Sequence, residues 1–131
     1  MLTSELYKYF KESSSVSTDT RLIKKGSIFF ALKGENFDGN QFAEDALIKG
    51  AKYVISTDVA KDGLLQGPSF DLYEKIQASS PSLSVIASGG VACMEDLVRL
   101  REMNLFGVIV GKAFYEGRIS LADLAKFSAA C

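Results

Sequence analysis

Two glycine-bearing turns carry the clearest chemistry in this 131-residue chain. Ser88-Gly89-Gly90 follows one apolar run rich in Val and Ile, and Gly111-Lys112 follows the next. Glycine lets backbone N–H groups approach an anion because no Cβ intervenes, and a following helix N-terminus adds partial positive charge. Glycine after a strand is also ordinary loop chemistry, so either turn alone favours a structural role. Two such turns on successive strands predict a phosphate-binding site, with Lys112 as a candidate counter-charge.

The two turns belong to a predicted βαβ unit. Strands at 83–87 and 107–110 flank a helical pattern formed by Leu97, Leu100 and Met103. Parallel strands end at the same edge of a sheet, and that edge is the ligand side of open α/β sheets and of closed barrels. We therefore expect the two glycine turns to lie side by side.

The pattern of the whole chain predicts four βα units in one α/β domain, 1–131. Strands are expected near 27–32, 53–57, 83–87 and 107–110, alternating with helices near 41–49, 70–78, 94–103 and 120–127. Leu2, Leu6 and Phe10 predict a short N-terminal helix, and 16–20 predicts a short strand or an extended loop. We expect the segment 16–21 to pair beside the sheet edge and cover it. Right-handed crossovers wind such units into an open doubly wound sheet or a half-barrel. We expect the open, mostly parallel sheet, since it leaves no unclosed barrel interior facing solvent.

The composition excludes several classes of function. With 47% hydrophobic and 24% charged residues and a net charge of −1, the chain is globular in type and shows no nucleic-acid-binding face. It has no histidine, which excludes Ser-His-Asp and Cys-His catalysis and the common histidine metal sites. Cys93 and Cys131 have no metal-ligand spacing, so we expect a reduced, cytoplasmic setting, with no metal and no cofactor. The first residues lack the pattern of a signal peptide or a membrane span.

Three longer motifs carry a family resemblance over 53–127. They are STDVAKDGLLQGPSFDLY, IASGGV followed by EDL, and GVIVGKAFYEGRISL. This segment resembles the last three βα units of ProFAR isomerase, the (βα)8-barrel enzyme of histidine biosynthesis, and so implies a phosphate site at the two glycine turns. The resemblance also implies that Thr57 and Asp62 lie near the reacting centre, although an Asp-Gly turn is the alternative for Asp62. The family's principal aspartates, on the first and fifth strands, have no counterpart, and Asp62 alone cannot supply both proton transfers.

The N-terminal portion, 1–56, carries a second resemblance. Its motifs are STDTR and KKGSIFFALKGENFDGNQFAEDALIKGAKYVI. They resemble the N-terminal domain of the Mur ligases, especially the tripeptide-adding type, and imply that Ser17, Asp19, Thr20, Arg21 and the loop 33–39 help hold the UDP end of a substrate. Ligase activity is not expected, because the family's glycine-rich ATP loop and central domain are missing. The two resemblances meet at AKYVIS, which suggests a recombined, chimera-like chain.

Three functions therefore remain open. The first is a catalytically incomplete α/β domain that keeps the phosphate site and binds a phosphorylated sugar or free phosphate. The second is a partial isomerase that becomes active after pairing with a second half-barrel. The third is a UDP-sugar-binding module derived from the Mur ligase side. We expect no nucleic-acid or membrane partner, and a monomer or weak homodimer.

Overall fold

Five parallel strands form one sheet, in the same order in space as along the chain. The computed structural model describes residues 3–130. The strands are β1 (Val16–Ser17), β2 (Ile28–Lys33), β3 (Tyr53–Asp58), β4 (Ser84–Ser88) and β5 (Gly107–Ile109). Thr57 of β3 pairs with Ser88 of β4, and Ser88 pairs with Ile109 of β5. The carboxyl ends of these three strands therefore lie beside one another at one edge.

Six helices accompany the strands in the described part of the chain. They are α1 (Thr3–Glu12), α2 (Ala43–Ile48), α3 (Phe70–Ser79), α4 (Met94–Glu102), α5 (Lys112–Tyr115) and α6 (Leu121–Ala129). The predicted alternation of strands and helices is confirmed, with bounds that shift by a few residues. The single turn α5 was not expected. Leu2 and Cys131 lie outside the described residues.

The structure refines the prediction for the segment before β2 and shows how the last helix begins. The strand expected at 16–20 is two residues long, because Asp19 caps a 3-10 turn at Thr20–Leu22. This short strand nevertheless pairs with β2 and covers that edge of the sheet, as predicted. Ser120 and Asp123 form a reciprocal capping box at the start of α6.

One face of the sheet holds the main hydrophobic core. Side chains alternate along a strand, so Phe29, Val54 and Val85 point to the same face. Helices α2, α3 and α4 pack over this face, and Tyr73 of α3 is completely buried there. These helices fix the spacing of the loops that leave the carboxyl ends of β3 and β4.

The opposite face of the sheet is covered by α1. The buried apolar residues on this face of the sheet are Ile28, Tyr53, Ile55 and Ile86. Tyr9 of α1 places its ring centroid 5.1 Å from that of Tyr53 and 5.2 Å from that of Phe106, within the range of favourable aromatic pairs. Leu6 adds an aliphatic contact. The predicted N-terminal helix thus forms, and Leu6 and Tyr9 on its apolar side cover part of this face.

The order of the strands distinguishes between the two expected arrangements. The α/β class and the parallel sheet are confirmed. A doubly wound sheet requires the strand order to reverse at a switch point, whereas β1 to β5 follow one another without reversal. The sequential order is that of a barrel wall, so the half-barrel alternative fits better. Since α1 covers the face that would line a barrel, this face is not left open to solvent. None of the helices in residues 3–130 is long and apolar enough to cross a membrane.

Candidate functional site

The turn after β4 depends on glycine at two consecutive positions. Gly89 and Gly90 have φ angles of +93° and +83°, in the left-handed region that other residues rarely adopt. A Cβ on Gly90 would clash with the carbonyl oxygen of Gly67, and the Gly67 N–H donates to the Gly90 carbonyl at 3.0 Å. The loop between β3 and α3 is therefore held against this turn through backbone atoms.

The turn after β5 has a different geometry. Gly111 has a φ of −112° and precedes α5. A Cβ added there would meet no protein atom within 4 Å. Unlike the two glycines after β4, Gly111 can therefore receive a small side chain without a steric clash.

The two turns border one small pocket of about 70 Å3. Its lining comes from the loops after β3, β4 and β5 and consists of Asp62, Gly63, Ser88, Gly89, Gly90, Val91, Ile109, Gly111 and Lys112. All five residues predicted to bind phosphate are in this set, together with Asp62. A water molecule takes about 30 Å3 in the liquid, so the pocket has room for one small anion but not for a sugar. We call it the glycine pocket.

Unused backbone donors surround the glycine pocket. Within residues 3–130, the backbone N–H groups of Gly89, Gly90, Gly111 and Lys112 donate to no protein acceptor. Unpaired backbone donors are unfavourable unless water or a ligand satisfies them. Four such donors around one pocket can bind an oxyanion.

Lys112 spans the mouth of the glycine pocket. Its Nζ donates to the carbonyl of Gly63 at 2.9 Å and lies 3.5 Å from Oε1 of Glu116. The side chain thereby connects the loop after β5 to the loop after β3. Glu116 partly offsets the ammonium charge, so Lys112 contributes less charge to the pocket than an isolated lysine would.

The two candidate catalytic residues lie close to the glycine pocket. Asp62 lines it, and its Cα and Cβ are 3.4 Å from where a Cβ on Gly89 would stand. Thr57 pairs with Ser88 in the sheet but is not part of the described pocket lining. Among the described lining residues, Asp62 is the one carboxylate. The pocket therefore holds a single carboxylate, whereas an aldose–ketose rearrangement needs an acid and a base on opposite sides of the substrate.

Tyr73 is a supporting residue that the sequence did not reveal. Its hydroxyl donates to the carbonyl of Ser88 at 3.2 Å, directly before the glycine turn. Burial raises the pKa of Tyr73 to about 12, an interaction with the Ser88 backbone lowers it in part, and the Asp58 carboxylate raises it further. The phenol stays protonated at neutral pH and anchors the end of β4 to α3. A tyrosine in an amphipathic helix gives no sequence signal for this contact.

The candidate UDP residues form a separate group at the end of β1. Ser17 ends that strand, and its hydroxyl donates to the carbonyl of Asp19 at 2.9 Å. Arg21 donates to both carboxylate oxygens of Asp19, and this contact lowers the pKa of Asp19 to about 2. Thr20 begins the 3-10 turn that Asp19 caps. Three strand spacings, or roughly 14 Å, separate β1 from β4, so the two groups do not share one pocket.

Cys93 stands before α4 but does not cap it through its side chain. A hydrogen bond from the backbone of Asp96 lowers the pKa of the thiol, whereas burial and the carboxylates of Glu95 and Asp96 raise it. The net result is a raised pKa, so Cys93 is not an activated thiolate at neutral pH. The described residues contain no group of three or more His, Cys, Asp or Glu that could hold a metal ion.

The fold and the glycine pocket define a class of protein, namely a partial (βα) barrel with a candidate anion site at the carboxyl ends of its strands. The family model described as "Histidine biosynthesis protein" matches residues 1–120. The chain therefore belongs to the histidine biosynthesis protein family.

Its relatives share one name, 1-(5-phosphoribosyl)-5-((5-phosphoribosylamino)methylideneamino) imidazole-4-carboxamide isomerase. The relative from Clostridioides difficile is 42% identical over 93% of this chain and 50% of its own length. The one from Parabacteroides distasonis is 40% identical over 98% of this chain and 53% of its own length. The one from Cytophaga hutchinsonii is 60% identical over 61% of this chain and 33% of its own length.

Two facts follow for the sequence predictions. The isomerase resemblance is confirmed at the level of the family, and the chain spans about half or less of the length of these relatives. The Mur ligase resemblance gains no support, because the family match begins at residue 1 and the long alignments also take in the N-terminal portion.

Proposed function

We propose that this chain is a catalytically incomplete member of its family that binds the phosphate group of a phosphorylated sugar, or free phosphate, in the glycine pocket. The observation that carries the proposal is the set of four unused backbone donors, on Gly89, Gly90, Gly111 and Lys112, around one small concavity. Phosphoribosyl groups in the names of the relatives support a ribose phosphate as the ligand.

The expected affinity is weak. Each backbone donor to an anion makes a charge-assisted hydrogen bond worth about 1.5–3 kcal/mol in a well-ordered site. The site is open to solvent, and the Asp62 carboxylate in its wall opposes an anion while Lys112 favours one. A dissociation constant between millimolar and high micromolar is therefore expected for a sugar phosphate.

The proposal also states that the chain lacks one of the two acid–base groups that the isomerase reaction needs. Asp62 can act as an acid or as a base, but the rearrangement needs both roles on opposite sides of the substrate. We therefore expect no isomerase turnover by the isolated chain. Growth of an isomerase-deficient strain on this chain alone would contradict that expectation.

Binding can be tested by titrating inorganic phosphate and ribose 5-phosphate against backbone amide NMR shifts. The amides at 88–90 and 111–113 should shift and saturate. Gly111→Ala should weaken the effect, because it adds a methyl group beside two of the four donors, on Gly111 and Lys112. Lys112→Ala should weaken binding without abolishing it, because it removes the ammonium group and keeps the backbone donors. Lys49→Ala removes a lysine that is paired with Asp45 elsewhere in the chain and serves as the control. Unmoved amides at 88–90 and 111–113 would refute the proposal.

Pairing with a second half-barrel is an alternative that one observation favours. The chain spans 50–53% of two relatives, and the apolar face that would line a barrel is covered by the single helix α1. In this alternative the missing aspartates come from the second half. We favour the monomer or weak dimer, because β1 covers the edge of β2. Sedimentation that shows a tight dimer at micromolar concentration would support pairing instead.

A UDP-binding module, as the Mur ligase resemblance implies, is the remaining alternative. It places the ligand near Ser17, Asp19, Thr20 and Arg21 at the carboxyl end of β1, on the ligand edge of the sheet. Arg21 is already paired with Asp19, so a diphosphate has to compete with a carboxylate for it. Amide shifts at 17–21 on addition of UDP, with none at 88–90, would favour this alternative. The cytoplasmic setting inferred from the cysteines is common to all three functions.

A further inference from the structure

A second and larger pocket lies on the helix side of the sheet. It measures about 480 Å3 and lies among the ends of β2 and β3, the start of α3 and the side of α4. Lys61, Lys75 and Arg99 line it together with Phe70. We call it the Arg99 pocket. None of its lining residues lines the glycine pocket or is proposed to bind phosphate there.

The Arg99 side chain packs against an aromatic ring and keeps its hydrogen-bond donors free. Its guanidinium carbon lies 3.8 Å from the centroid of the Phe70 ring, so the two planar groups are in direct contact. Within residues 3–130, none of the guanidinium N–H groups of Arg99 donates to a protein acceptor. A stacked guanidinium keeps its donors in a fixed fork, which matches two oxygens of a carboxylate or phosphate. The contact with Phe70 therefore restrains this exposed side chain before any ligand arrives.

One acidic residue of the pocket, Asp58, has partners of its own. It accepts from the Ser69 hydroxyl and from the Ala60 N–H, and it lies 3.9 Å from Nζ of Lys33. This carboxylate is thus engaged in the local fold.

Asp38 and Asp71 complete the charge balance. Asp38 accepts two hydrogen bonds from Asn40, and Asp71 lies in the first turn of α3, where the helix dipole stabilises a negative charge. Lys61 and Lys75 form no ion pair with a described residue. Four cationic side chains therefore line the pocket against three carboxylates, which leaves one net positive charge.

We propose that the Arg99 pocket binds the oxyanion group, phosphate or carboxylate, of a small molecule. The Arg99 fork takes two oxygens, and Lys61 and Lys75 add charge without fixed geometry. The loop at 59–69 separates this pocket from the glycine pocket, since Lys61 faces one and Asp62 lines the other. The proposal does not depend on the proposed function, and either site can fail without the other.

The test is an amide NMR titration of the full chain with inorganic phosphate and, separately, with succinate. Saturable shifts at 70–75 and 99 are expected with at least one of the two anions. A response to both identifies the shared oxyanion chemistry, and a response to phosphate alone identifies a phosphate site. Arg99→Lys keeps the charge but loses the fork, so it should weaken binding about tenfold.

Arg101→Lys is the matched control. Arg101 is on the same helix and its guanidinium carbon also lies over a ring, 4.6 Å from the Phe127 centroid, but it is outside the Arg99 pocket. The Arg101→Lys substitution should leave anion binding, as measured by the amide shifts at 70–75, unchanged. Lys75→Gln, at an exposed helix position, gives a second variant with a milder loss. Shifts confined to 88–90 and 111–113, or equal losses in Arg99→Lys and Arg101→Lys, would overturn the proposal.

Discussion

Tyr73→Phe tests how the end of β4 is held, and its effect should depend on pH. The substitution removes the hydroxyl that donates to the Ser88 carbonyl at 3.2 Å. The ring stays in the core, so the packing is preserved and the loss is that of one buried hydrogen bond. At pH 7 the variant should be less stable than the parent by about 0.5–1.5 kcal/mol.

The raised pKa of Tyr73 sets the direction of the pH effect. In the folded chain this pKa is about 12, against 10.0 for an exposed tyrosine. The stabilisation is fully present below pH 10 and is lost as the pH rises through 12, because only the unfolded chain ionises freely between the two values. At pH 11 the parent should have lost about 1.4 kcal/mol that the phenylalanine variant cannot lose. The stability difference between them should therefore shrink to about zero or reverse, leaving the variant more stable by up to about 0.9 kcal/mol.

Urea unfolding followed by circular dichroism at pH 7, 9, 10 and 11 measures this difference. Tyr115 is 83% exposed, so Tyr115→Phe is the matched control, and its difference from the parent should stay flat with pH. A Tyr73→Phe difference that is constant from pH 7 to pH 11 would refute the burial of the phenol in the folded chain.

Three further substitutions test local features. Gly90→Ala forces a side chain into a φ of +83° and against the Gly67 carbonyl, so it should cost at least about 2 kcal/mol in urea unfolding. Ser120→Ala removes the side-chain cap of α6 and should cost about 1 kcal/mol in the same assay; an unchanged midpoint would mean that this helix does not contribute to the cooperative unit. Arg21→Gln should raise the pKa of Asp19 from about 2 toward 3.8 in an NMR pH titration, and a pKa that stays near 2 would show that the contact is not what lowers it.

The sequence predicted the position of the glycine turns because their signal is local. Apolar runs mark the buried strands, and parallel strands necessarily end at a common edge. Ser88, Gly89, Gly90, Gly111 and Lys112 therefore come together in the structure as the spacing implied. Whether these residues bind phosphate remains a prediction, since geometry supplies the donors and not the ligand.

The contacts that support the site could not be read from the sequence, because they join distant segments. Tyr73 reaches Ser88 across 15 positions, and the Lys112 ammonium reaches the Gly63 carbonyl across 49. Neither partner is marked by residue type or by periodicity. The loop after β3 is held against Gly90 by backbone atoms, which leave no side-chain signal at all.

The choice between an open sheet and a half-barrel also lay beyond the pattern. Both arrangements bury the strands on two faces, so the same apolar runs are expected in each. What decides is the order of the strands, which run from β1 to β5 without reversal. The pairing that sets this order joins segments far apart in the sequence. The covering of the second face is equally non-local, because the rings of Tyr9, Tyr53 and Phe106 come from three separate segments.

A crystal structure of the chain soaked in phosphate would show directly whether the glycine pocket binds the anion. We expect an anion there, within hydrogen-bond distance of the amides of Gly89, Gly90, Gly111 and Lys112. Phosphate density that is absent from this pocket while present elsewhere on the chain would contradict it.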